Sequence, residues 1–217
     1  MNIVDLSQSN SVLNAYIAQI RDKVIQKDSL RFRTNLERMG EIFAYEISKT
    51  LNYKQVDVET PLGIASCSVI SDKLVLSTIL RAGLPLHQGL LNVFDNAQCS
   101  FVAAYRKYGK DNKCTMSIDY CSSANIEGKV LILADTMVAT GNSISITYQN
   151  LLQQGEPTHT HIVCAIASRD AVEKLSKDLP HKRVTFWVGA IDEELTNKCY
   201  IVPGLGDAGD LAFGTKG

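Results

Sequence analysis

The sequence predicts an α/β fold with a central, mostly parallel sheet flanked by helices. Five short apolar runs rich in Val and Ile are separated by stretches with helical spacing, at residues 74–80, 101–105, 130–134, 162–167 and 184–188. These runs are apolar on both faces, as parallel strands covered by helices must be. Periodicity alone does not separate such a strand from a turn of buried helix, so that alternative stays open for each run.

The length and composition of the chain fit one domain, which we place at residues 1–217. The chain has 217 residues, of which 45% are hydrophobic, enough to bury a sizeable core in one domain or in one domain with a small appendage. Its 22 Lys and Arg against 23 Asp and Glu give a net charge of -1. This balance provides no basic field for nucleic acid or an anionic membrane, so any bound anion must be held by a local site.

The sequence shows no sign of export, membrane insertion or a metal site made of side chains. Residues 1–10 are polar, and no run approaches the roughly 20 apolar residues of a membrane span. The six cysteines include no CxxC pair, and neither they nor the four histidines have metal-ligand spacing. We therefore expect a cytoplasmic protein with no membrane partner and no metal held by its own residues.

The N-terminal part of the chain predicts two helices and a hairpin. Residues 10–26 and 31–51 repeat apolar residues at helical spacing. Residues 54–70 then alternate between apolar and polar around a Thr-Pro-Leu-Gly segment, which indicates a β-hairpin. We expect this hairpin to form an arm or a flap.

The segment after the third apolar run is the most informative pattern for phosphate binding. A strand at 130–134 is followed by a loop and by helical spacing that stops at Gly155. In an open α/β sheet, ligands lie beyond the carboxyl ends of the strands, where a loop entering a helix offers free N–H groups to a phosphate. Thr140 and Ser143 add hydroxyl donors, and Gly141 allows close approach. The sequence therefore predicts a phosphate loop that lacks the Gly-x4-Gly-Lys-Ser/Thr of nucleotide triphosphatases.

Asp135 directly follows this predicted strand. Its carboxylate could accept hydrogen bonds from sugar hydroxyls, as an acidic residue does in dinucleotide-binding folds. An Asp after a strand often only caps the next turn. The residues alone leave both roles open.

This loop resembles the loop that binds 5-phosphoribosyl-1-diphosphate (PRPP) in type I phosphoribosyltransferases, and it is most similar to that of the uracil enzymes. It reads Asp135-Thr136-Met137-Val138-Ala139-Thr140-Gly141-Asn142-Ser143. The uracil subfamily usually has Asp-Pro-Met-Leu-Ala-Thr-Gly-Gly-Ser, so Thr136 and Asn142 are departures. Thr136 in place of proline makes the turn less rigid. Asn142 in place of glycine can still adopt the left-handed conformations that glycine would adopt. The resemblance implies a type I phosphoribosyltransferase fold in which all the residues of this segment bind PRPP.

The C-terminal segment at 199–217 is the second distinctive pattern. On composition alone, a tail so rich in Gly and Pro should be disordered, or a surface turn with solvated aspartates. Glycines at 204, 206 and 209 would instead let a folded loop direct backbone donors and acceptors at a small flat ligand. The segment resembles the uracil-binding signature of the same subfamily and reads Tyr200-Ile201-Val202-Pro203-Gly204-Leu205-Gly206-Asp207-Ala208-Gly209-Asp210, closed by Phe213-Gly214-Thr215-Lys216.

The resemblance assigns roles to four residues of this tail. Ile201, Gly206 and Ala208 would contact uracil through backbone groups. Asp207 belongs to the same uracil site, would face the ribose-diphosphate side and bind PRPP, and is the first candidate for a catalytic residue, by holding a metal or a water.

Two arginines complete the candidate site. Arg81 and Arg106 each follow an apolar run, so both should project from the same sheet edge as the phosphate loop, where a guanidinium can grip phosphate oxygens. Taken singly, an arginine at such a position is more often an ordinary charge at a strand end. Together they resemble the Ile-Leu-Arg-Ala-Gly and Tyr-Arg elements of the subfamily, whose arginines bind PRPP, and Arg106 is a second catalytic candidate.

A basic stretch follows Arg106. Lys107, Lys110 and Lys113 surround Gly109, a composition that fits either a flap over the site or a plain solvated loop. The uracil enzymes carry acidic residues here, so this is a further departure.

The resemblance implies transfer of ribose 5-phosphate from PRPP to uracil, giving UMP and diphosphate in pyrimidine salvage. It also implies Mg²⁺ as cofactor, bound chiefly through PRPP oxygens, a homodimer or higher assembly, and GTP as an effector in some members. Three alternatives remain: an enzyme for another base, a UMP-sensing regulator of the same fold that binds RNA, and a diverged, slow phosphoribosyltransferase.

Overall fold

The computed structural model describes residues 1–108, 114–180 and 182–215, with the backbone alone for 105–108 and 114–117. The described strands are β1 (Asn2–Asp5), β2 (Tyr53–Thr60), β3 (Gly63–Ile70), β4 (Leu74–Leu80), β5 (Gln98–Tyr108), β6 (Cys114–Ser122), β7 (Val130–Val138), β8 (His159–Ser168), β9 (Val184–Asp192), β10 (Glu194–Leu195) and β11 (Ile201–Val202). The described α-helices are α1 (Val12–Arg21), α2 (Ser29–Ser48), α3 (Leu84–Val93), α4 (Asn142–Leu151), α5 (Arg169–Asp178) and α6 (Ala208–Phe213).

Seven of the described strands form one sheet in the order β1-β9-β8-β7-β4-β5-β6. Every neighbouring pair is parallel except β5 and β6. All five predicted apolar runs are strands of this sheet, which confirms the α/β prediction with a mostly parallel sheet. The carboxyl ends of β4, β5, β7, β8 and β9 therefore meet at one edge.

Helices cover both faces of the sheet. On one face, α1, α2 and α3 pack on the sheet through a core that includes Phe32, Phe43, Leu86, Ile132 and Trp187. On the other face, α4 and α5 pack through a core that includes Ile144, Leu175, Leu131, Leu133 and Phe186. Neighbouring residues of one strand alternate between these two cores, which is why the strands are apolar on both sides.

The two predicted N-terminal helices are confirmed, but a strand precedes them. β1 pairs in parallel with β9, from Asn2 opposite Thr185 to Asp5 opposite Val188. It is a strand of four residues at the edge of the sheet, too short to show a period in the sequence.

The first helix also ends earlier than predicted. It stops at Arg21 rather than at residue 26, because the side chain of Asp22 accepts hydrogen bonds from the backbone N–H groups of Val24 and Ile25 at 2.8 and 3.0 Å. These bonds start a separate short turn. The second helix begins two residues earlier than predicted, where Asp28 caps it by accepting from the N–H of Arg31 at 3.0 Å.

The predicted hairpin arm is confirmed. β2 and β3 pair antiparallel from Tyr53 opposite Ile70 to Thr60 opposite Gly63, and they form a sheet of their own. At the turn, Leu62 is 100% exposed. The arm therefore projects away from the main sheet.

The tail is folded. β11 pairs antiparallel with β10, and α6 follows after a turn. The expectation of disorder from composition is therefore wrong, and the folded-loop alternative is correct, although the sequence analysis did not foresee a helix. In the part of the chain that the structure describes, no helix is both long and apolar enough to cross a membrane.

Candidate active site

A cavity of about 510 Å³ opens at the carboxyl edge of the sheet, between the strands and the tail. Most of its wall comes from three separate parts of the chain, and Ala104 of β5 completes it. The end of β4 provides Ile79 to Ala82, the end of β7 and the following loop provide Asp135, Met137, Ala139 and Ser143, and the tail provides Lys198 to Ile201 and Gly206 to Gly209. The structure thus brings together predicted residues that are up to about 130 positions apart in sequence, such as Arg81 and Asp207.

Asp135 lies inside a strand rather than just after one. β7 extends to Val138, because β8 continues to pair with it, from Asp135 opposite Cys164 to Val138 opposite Ala167. The Asp135 residue is only 9% exposed. Burial raises the pKa of Asp135 to about 7, while hydrogen bonds from the backbone N–H groups of Thr136 and Met137 oppose that shift. A buried carboxyl group thus borders the cavity.

The turn from β7 into α4 is held by the neighbouring helix. Gly141 has a φ of 73° and caps α4 in the left-handed conformation that favours glycine. Ser168 donates its hydroxyl to the carbonyl of Ala139 at 2.5 Å and also caps α5. The loop therefore presents the N-terminal end of a ten-residue helix beside the cavity, as a phosphate site requires.

The two departures in this loop each have a hydrogen-bond partner. The hydroxyl of Thr136 donates to the carbonyl of Ala82 at 2.6 Å, which ties β7 to the segment after β4. The side-chain oxygen of Asn142 accepts a hydrogen bond from Lys174 of α5. Both substitutions are therefore built into the local structure.

Not every predicted PRPP residue reaches the cavity wall. Asp135, Met137, Ala139 and Ser143 line it, whereas Thr136, Val138, Thr140, Gly141 and Asn142 do not. The side chains of Thr136 and Val138 are buried, at 0 and 3% exposure. A role in PRPP binding for these residues would have to use their backbone or their position in the loop.

Arg81 lies directly after β4, as predicted, and follows a cis peptide bond with Leu80. One terminal nitrogen of its guanidinium donates to the side chain of Asp210 at 3.3 Å and to the carbonyl of Gly214 at 3.1 Å. Its Nε is buried and has no hydrogen-bond partner. The arginine predicted to hold diphosphate is thus in contact with the predicted uracil-binding tail.

The tail carries its predicted residues to the cavity. Ile201, Gly206, Asp207 and Ala208 all line it. Asp207 also caps α6, since its side chain accepts a hydrogen bond from the N–H of Asp210 at 3.0 Å. The arrangement can hold a small flat ligand against backbone groups on one side and an anion near Arg81 on the other.

Sequence comparison agrees with this geometry. The family model described as uracil phosphoribosyltransferase matches residues 7–215. The chain belongs to the uracil phosphoribosyltransferase family. The resemblance seen in the loop and the tail is therefore confirmed.

Individual relatives support the assignment over the full length. A uracil phosphoribosyltransferase of Porphyromonas gingivalis is 50% identical over 216 residues, which is 100% of both chains. One from Pyrococcus furiosus is 36% identical over 201 residues, covering 91% of this chain and 84% of that protein.

Solved structures confirm the fold. The AQ2163 protein from Aquifex aeolicus matches with a TM-score of 0.86 at 28% identity, and the match covers 98% of each chain. A hypoxanthine phosphoribosyltransferase from Staphylococcus aureus matches with a TM-score of 0.52 at 15% identity, over 86% of this chain and 83% of that one. The second likeness shows the shared fold alone.

Some predicted residues of this uracil phosphoribosyltransferase family member lie outside what the structure describes. The backbone of Arg106 pairs within β5, opposite Met116, but its side chain is not among the described parts. Gly109, Lys110 and Lys113 lie outside the described residues, and only the backbone of Lys107 is described. The diphosphate role of Arg106 and the flap therefore stay predictions.

Three residues that were not among the predicted site residues hold the site from a distance. Arg21, Arg33 and Asp192 all contact the tail. Arg33 donates to the carbonyl of Ala212 at 2.7 Å, and Arg21 and Asp192 bind Gly204. Asp192 carried one signal, because it ends a strand at the edge where the site lies. Arg33 stands in an Arg31-Phe32-Arg33 segment that resembles the Arg-Phe-Arg of the family, whereas Arg21 carried no signal, since its partner Asp192 is 171 positions away.

A larger groove, of about 800 Å³, lies at the opposite edge of the sheet. It is lined by the starts of β4, β5 and β7 and by the base of the arm, including Lys73, Gln98, Lys129 and Tyr53. None of the predicted site residues lines it. Cavity volume alone therefore does not identify the predicted site in this fold.

Proposed function

We propose that this chain is an enzyme that joins uracil to PRPP, forming UMP and diphosphate in pyrimidine salvage. The observation that carries the proposal is a single cavity. It combines Arg81, the buried carboxyl group of Asp135 and the backbone of the tail around Gly206. These are the three kinds of group that a diphosphate, a ribose and a uracil ring need.

Uracil is expected to bind against the tail. Ile201 is 4% exposed and Ala208 5% exposed, so both are held in place by packing while their backbone borders the cavity. The edge of uracil alternates carbonyl acceptors and N–H donors, which fixed backbone groups can match. A different base would leave those groups unpaired, which disfavours it strongly.

PRPP is expected to span the rest of the cavity. The 5-phosphate would lie at the start of α4, with the backbone of the loop from Ala139 to Asn142 and the hydroxyls of Thr140 and Ser143 as donors. Asp135 would accept hydrogen bonds from the ribose hydroxyls. Arg81 and Arg106 would hold the diphosphate.

The described residues suit a metal that is carried by the substrate. They contain no group of three or more His, Cys, Asp and Glu side chains that could hold an ion, yet Asp135 and Asp207 offer two carboxyl groups to the cavity. Mg²⁺ typically uses one or two carboxylates beside substrate phosphates. When bound with PRPP, the ion would help to neutralise the departing diphosphate.

Catalysis would then consist mainly of positioning and charge stabilisation. The bond between ribose C1 and the diphosphate oxygen breaks, a bond from C1 to the uracil ring nitrogen forms, and the ring proton is released. Negative charge develops on the diphosphate, where Arg81 and Arg106 would stabilise it. The tail would hold the ring nitrogen in line with C1.

The arm supports the proposal that the protein is a homodimer or a higher assembly. Val56, Val58, Ala65 and Cys67 lie on one face of the hairpin, because Val56 is opposite Cys67 and Val58 is opposite Ala65. We call this the apolar arm face. Val58 is 41% exposed, and an apolar sheet face in water favours association with another copy.

The function is tested by supplying PRPP and Mg²⁺ with uracil, cytosine, hypoxanthine or orotate in separate reactions, with and without GTP, and measuring nucleotide formation. We expect UMP from uracil alone, and an increase with GTP would support an effector role. Binding of UMP without product from any base would overturn the enzyme proposal in favour of a nucleotide-sensing regulator. A very low rate with uracil would indicate a diverged enzyme.

A test of the role of Asp207 needs a variant that preserves the hydrogen bond by which this side chain caps α6. Asp207→Asn keeps a side chain that caps α6 about as well as Asp does but removes the charge. We expect kcat to fall about 100-fold with little change in thermal stability. Asp95→Ala, an exposed carboxylate at the opposite edge, is the control and should leave the rate unchanged. A fully active Asp207→Asn enzyme would exclude a catalytic charge at this position.

A further inference from the structure

The turn that carries the uracil-binding residues is fixed by an ion pair from elsewhere in the chain. Arg21, the last residue of α1, donates two hydrogen bonds to Asp192, the last residue of β9, at 2.8 and 2.7 Å. The pair has the parallel, bidentate geometry that makes arginine–carboxylate contacts specific. We call these two residues the tail clamp.

The tail clamp holds both backbone polar groups of Gly204. Arg21 donates to the Gly204 carbonyl at 3.0 Å, and the Gly204 N–H donates to Asp192 at 2.9 Å. One residue is thereby fixed from both sides. Gly204 lies three residues after Ile201 and two before Gly206, so the fixed point is inside the predicted uracil-binding segment.

The turn itself leaves little freedom around this point. Gly204 has a φ of 54°, and a Cβ there would lie 2.2 Å from the carbonyl oxygen of Ile201, so no other residue fits without a shift. Ile201 and Leu205 are each 4% exposed and pack in the same core as α1 and α2. Hydrogen bonds to Gly204 therefore fix the position and orientation of the backbone that follows it.

The tail clamp does not belong to the cavity. Neither Arg21 nor Asp192 lines it, and the Asp192 side chain is 7% exposed. The two side chains form an ion pair with each other, and both hydrogen-bond to the backbone of Gly204. An uncompensated buried carboxylate would be costly, so each partner holds the other in place.

We propose that Arg21 and Asp192 are positioning residues that set the uracil pocket through Gly204. They act on the base side of the site and leave the PRPP side to β7 and α4. This inference rests on the proposed function, because it assumes that the tail binds uracil.

The test compares Arg21→Met and Arg21→Lys with Arg169→Met. Arg169 forms an exposed pair with Glu193 at 2.5 Å, one residue from Asp192, but contacts none of the described tail residues in that pair. It is therefore a matched control for loss of a salt bridge at the same strand end. Steady-state kinetics would be measured separately for uracil and for PRPP.

We expect Arg21→Met to raise the KM for uracil on the order of tenfold, with the KM for PRPP changed less than about twofold. Arg21→Lys should retain part of the uracil affinity that Arg21→Met loses, because lysine supplies the charge but not the bidentate hydrogen bonds. A double variant with Asp192→Asn removes the uncompensated charge and should be less than additive with Arg21→Met.

Amide hydrogen exchange gives a readout that needs no turnover. Gly204 to Ala208 should exchange faster in Arg21→Met than in the wild type, while β7 and β8 keep their protection. Kinetics and exchange equal to those of Arg169→Met would overturn the inference. A parallel loss of uracil affinity, PRPP affinity and thermal stability would also overturn it, since that pattern indicates a purely structural role. Failure of the wild type to form UMP would instead overturn the proposed function.

Discussion

Burial determines the direction in which the pKa of Asp135 is shifted. The group lies in the central strand β7, with its carboxyl group removed from water, and its pKa is raised to about 7. Nearby backbone N–H groups favour the ionised form but do not outweigh desolvation. The two hydroxyl donors of a ribose would stabilise the ionised form, so substrate binding should favour the carboxylate.

The raised pKa predicts how stability depends on pH. The folded protein binds this proton more tightly than the unfolded chain, whose Asp has a pKa near 3.8. The resulting stabilisation is complete below that value and is lost as the pH rises through about 7. From the size of the shift, wild type should lose at most about 4 kcal/mol of unfolding free energy relative to Asp135→Asn by pH 8.

The measurement is the free energy of unfolding of both proteins by denaturant between pH 4 and pH 8, without substrate. Asp135→Asn cannot ionise and serves as the reference at each pH. Parallel pH profiles would show that the carboxyl group titrates below this range.

Thr136 shows how a departure from a family motif can be absorbed by one hydrogen bond. Proline would fix the backbone at this position, but Thr136 instead donates to the carbonyl of Ala82, next to Arg81. The bond joins the strand that carries Asp135 to the segment that carries Arg81, the arginine proposed to hold the diphosphate. A neutral hydrogen bond contributes about 1 kcal/mol, which is enough to hold a short segment in one position.

At the scale of elements, the close packing of α2 on α3 positions the segment with Arg81. A Cβ at Gly89 would lie 1.9 Å from the backbone carbonyl oxygen of Glu37, and one at Gly40 would lie 2.3 Å from that of Leu86. The two helices therefore touch backbone to backbone. Since α3 begins only three residues after Arg81, its position determines where that residue lies.

Replacing Gly89 by Ala tests this contact. Alanine is a better helix former by about 1 kcal/mol, but here the methyl group meets a backbone atom that cannot rotate away. Overpacking of this kind costs about 3 kcal/mol, so we expect a net loss of about 2 kcal/mol in denaturant unfolding and a higher KM for PRPP. Gln88→Ala, at the exposed neighbouring position of α3, should change neither. An unchanged or stabilised Gly89→Ala protein would contradict the proposed packing.

Elements with a strong local pattern could be predicted from the sequence, and elements defined by their partners could not. The runs at 130–134 and 162–167 lie in β7 and β8 because they are continuously apolar, but each strand is longer than its run. Pairing between the two carries the strands on through Asp135 to Val138 and Ala167, and pairing with β9 extends β8 to Ser168. β6 contains polar residues and pairs only with β5, so neither its composition nor its period revealed it.

At the scale of the whole molecule, the candidate site is a meeting of distant segments. The loop and the tail could be assigned from their motifs, because each motif is continuous in sequence. The contacts that hold them could not, because Arg21 and Arg33 reach residues more than 170 positions away. In the same way, the contact of Arg81 with Asp210 links the proposed diphosphate and uracil sides across 129 positions.

The arm extends the molecule beyond its own core. Its apolar face includes Val56 and Val58, whereas the opposite face carries Gln55, Asp57, Ser66 and Ser68. A two-stranded hairpin is only marginally stable in isolation. In the proposed assembly, a second copy of the chain would cover the apolar arm face.

Substituting the apolar arm face should dissociate the assembly. We expect wild type to sediment as a dimer or larger species, and Val56→Lys with Val58→Lys to shift it toward the monomer, because charges at an apolar contact are costly to bury. The control replaces Gln55 and Ser66 of the polar face by Lys, which adds the same charge to the same hairpin. Both double variants should keep the wild-type circular dichroism, since the arm lies outside the main sheet. Analytical ultracentrifugation across a range of concentrations distinguishes the outcomes, and a monomeric wild type, or equal dissociation of both double variants, would refute assembly through this face.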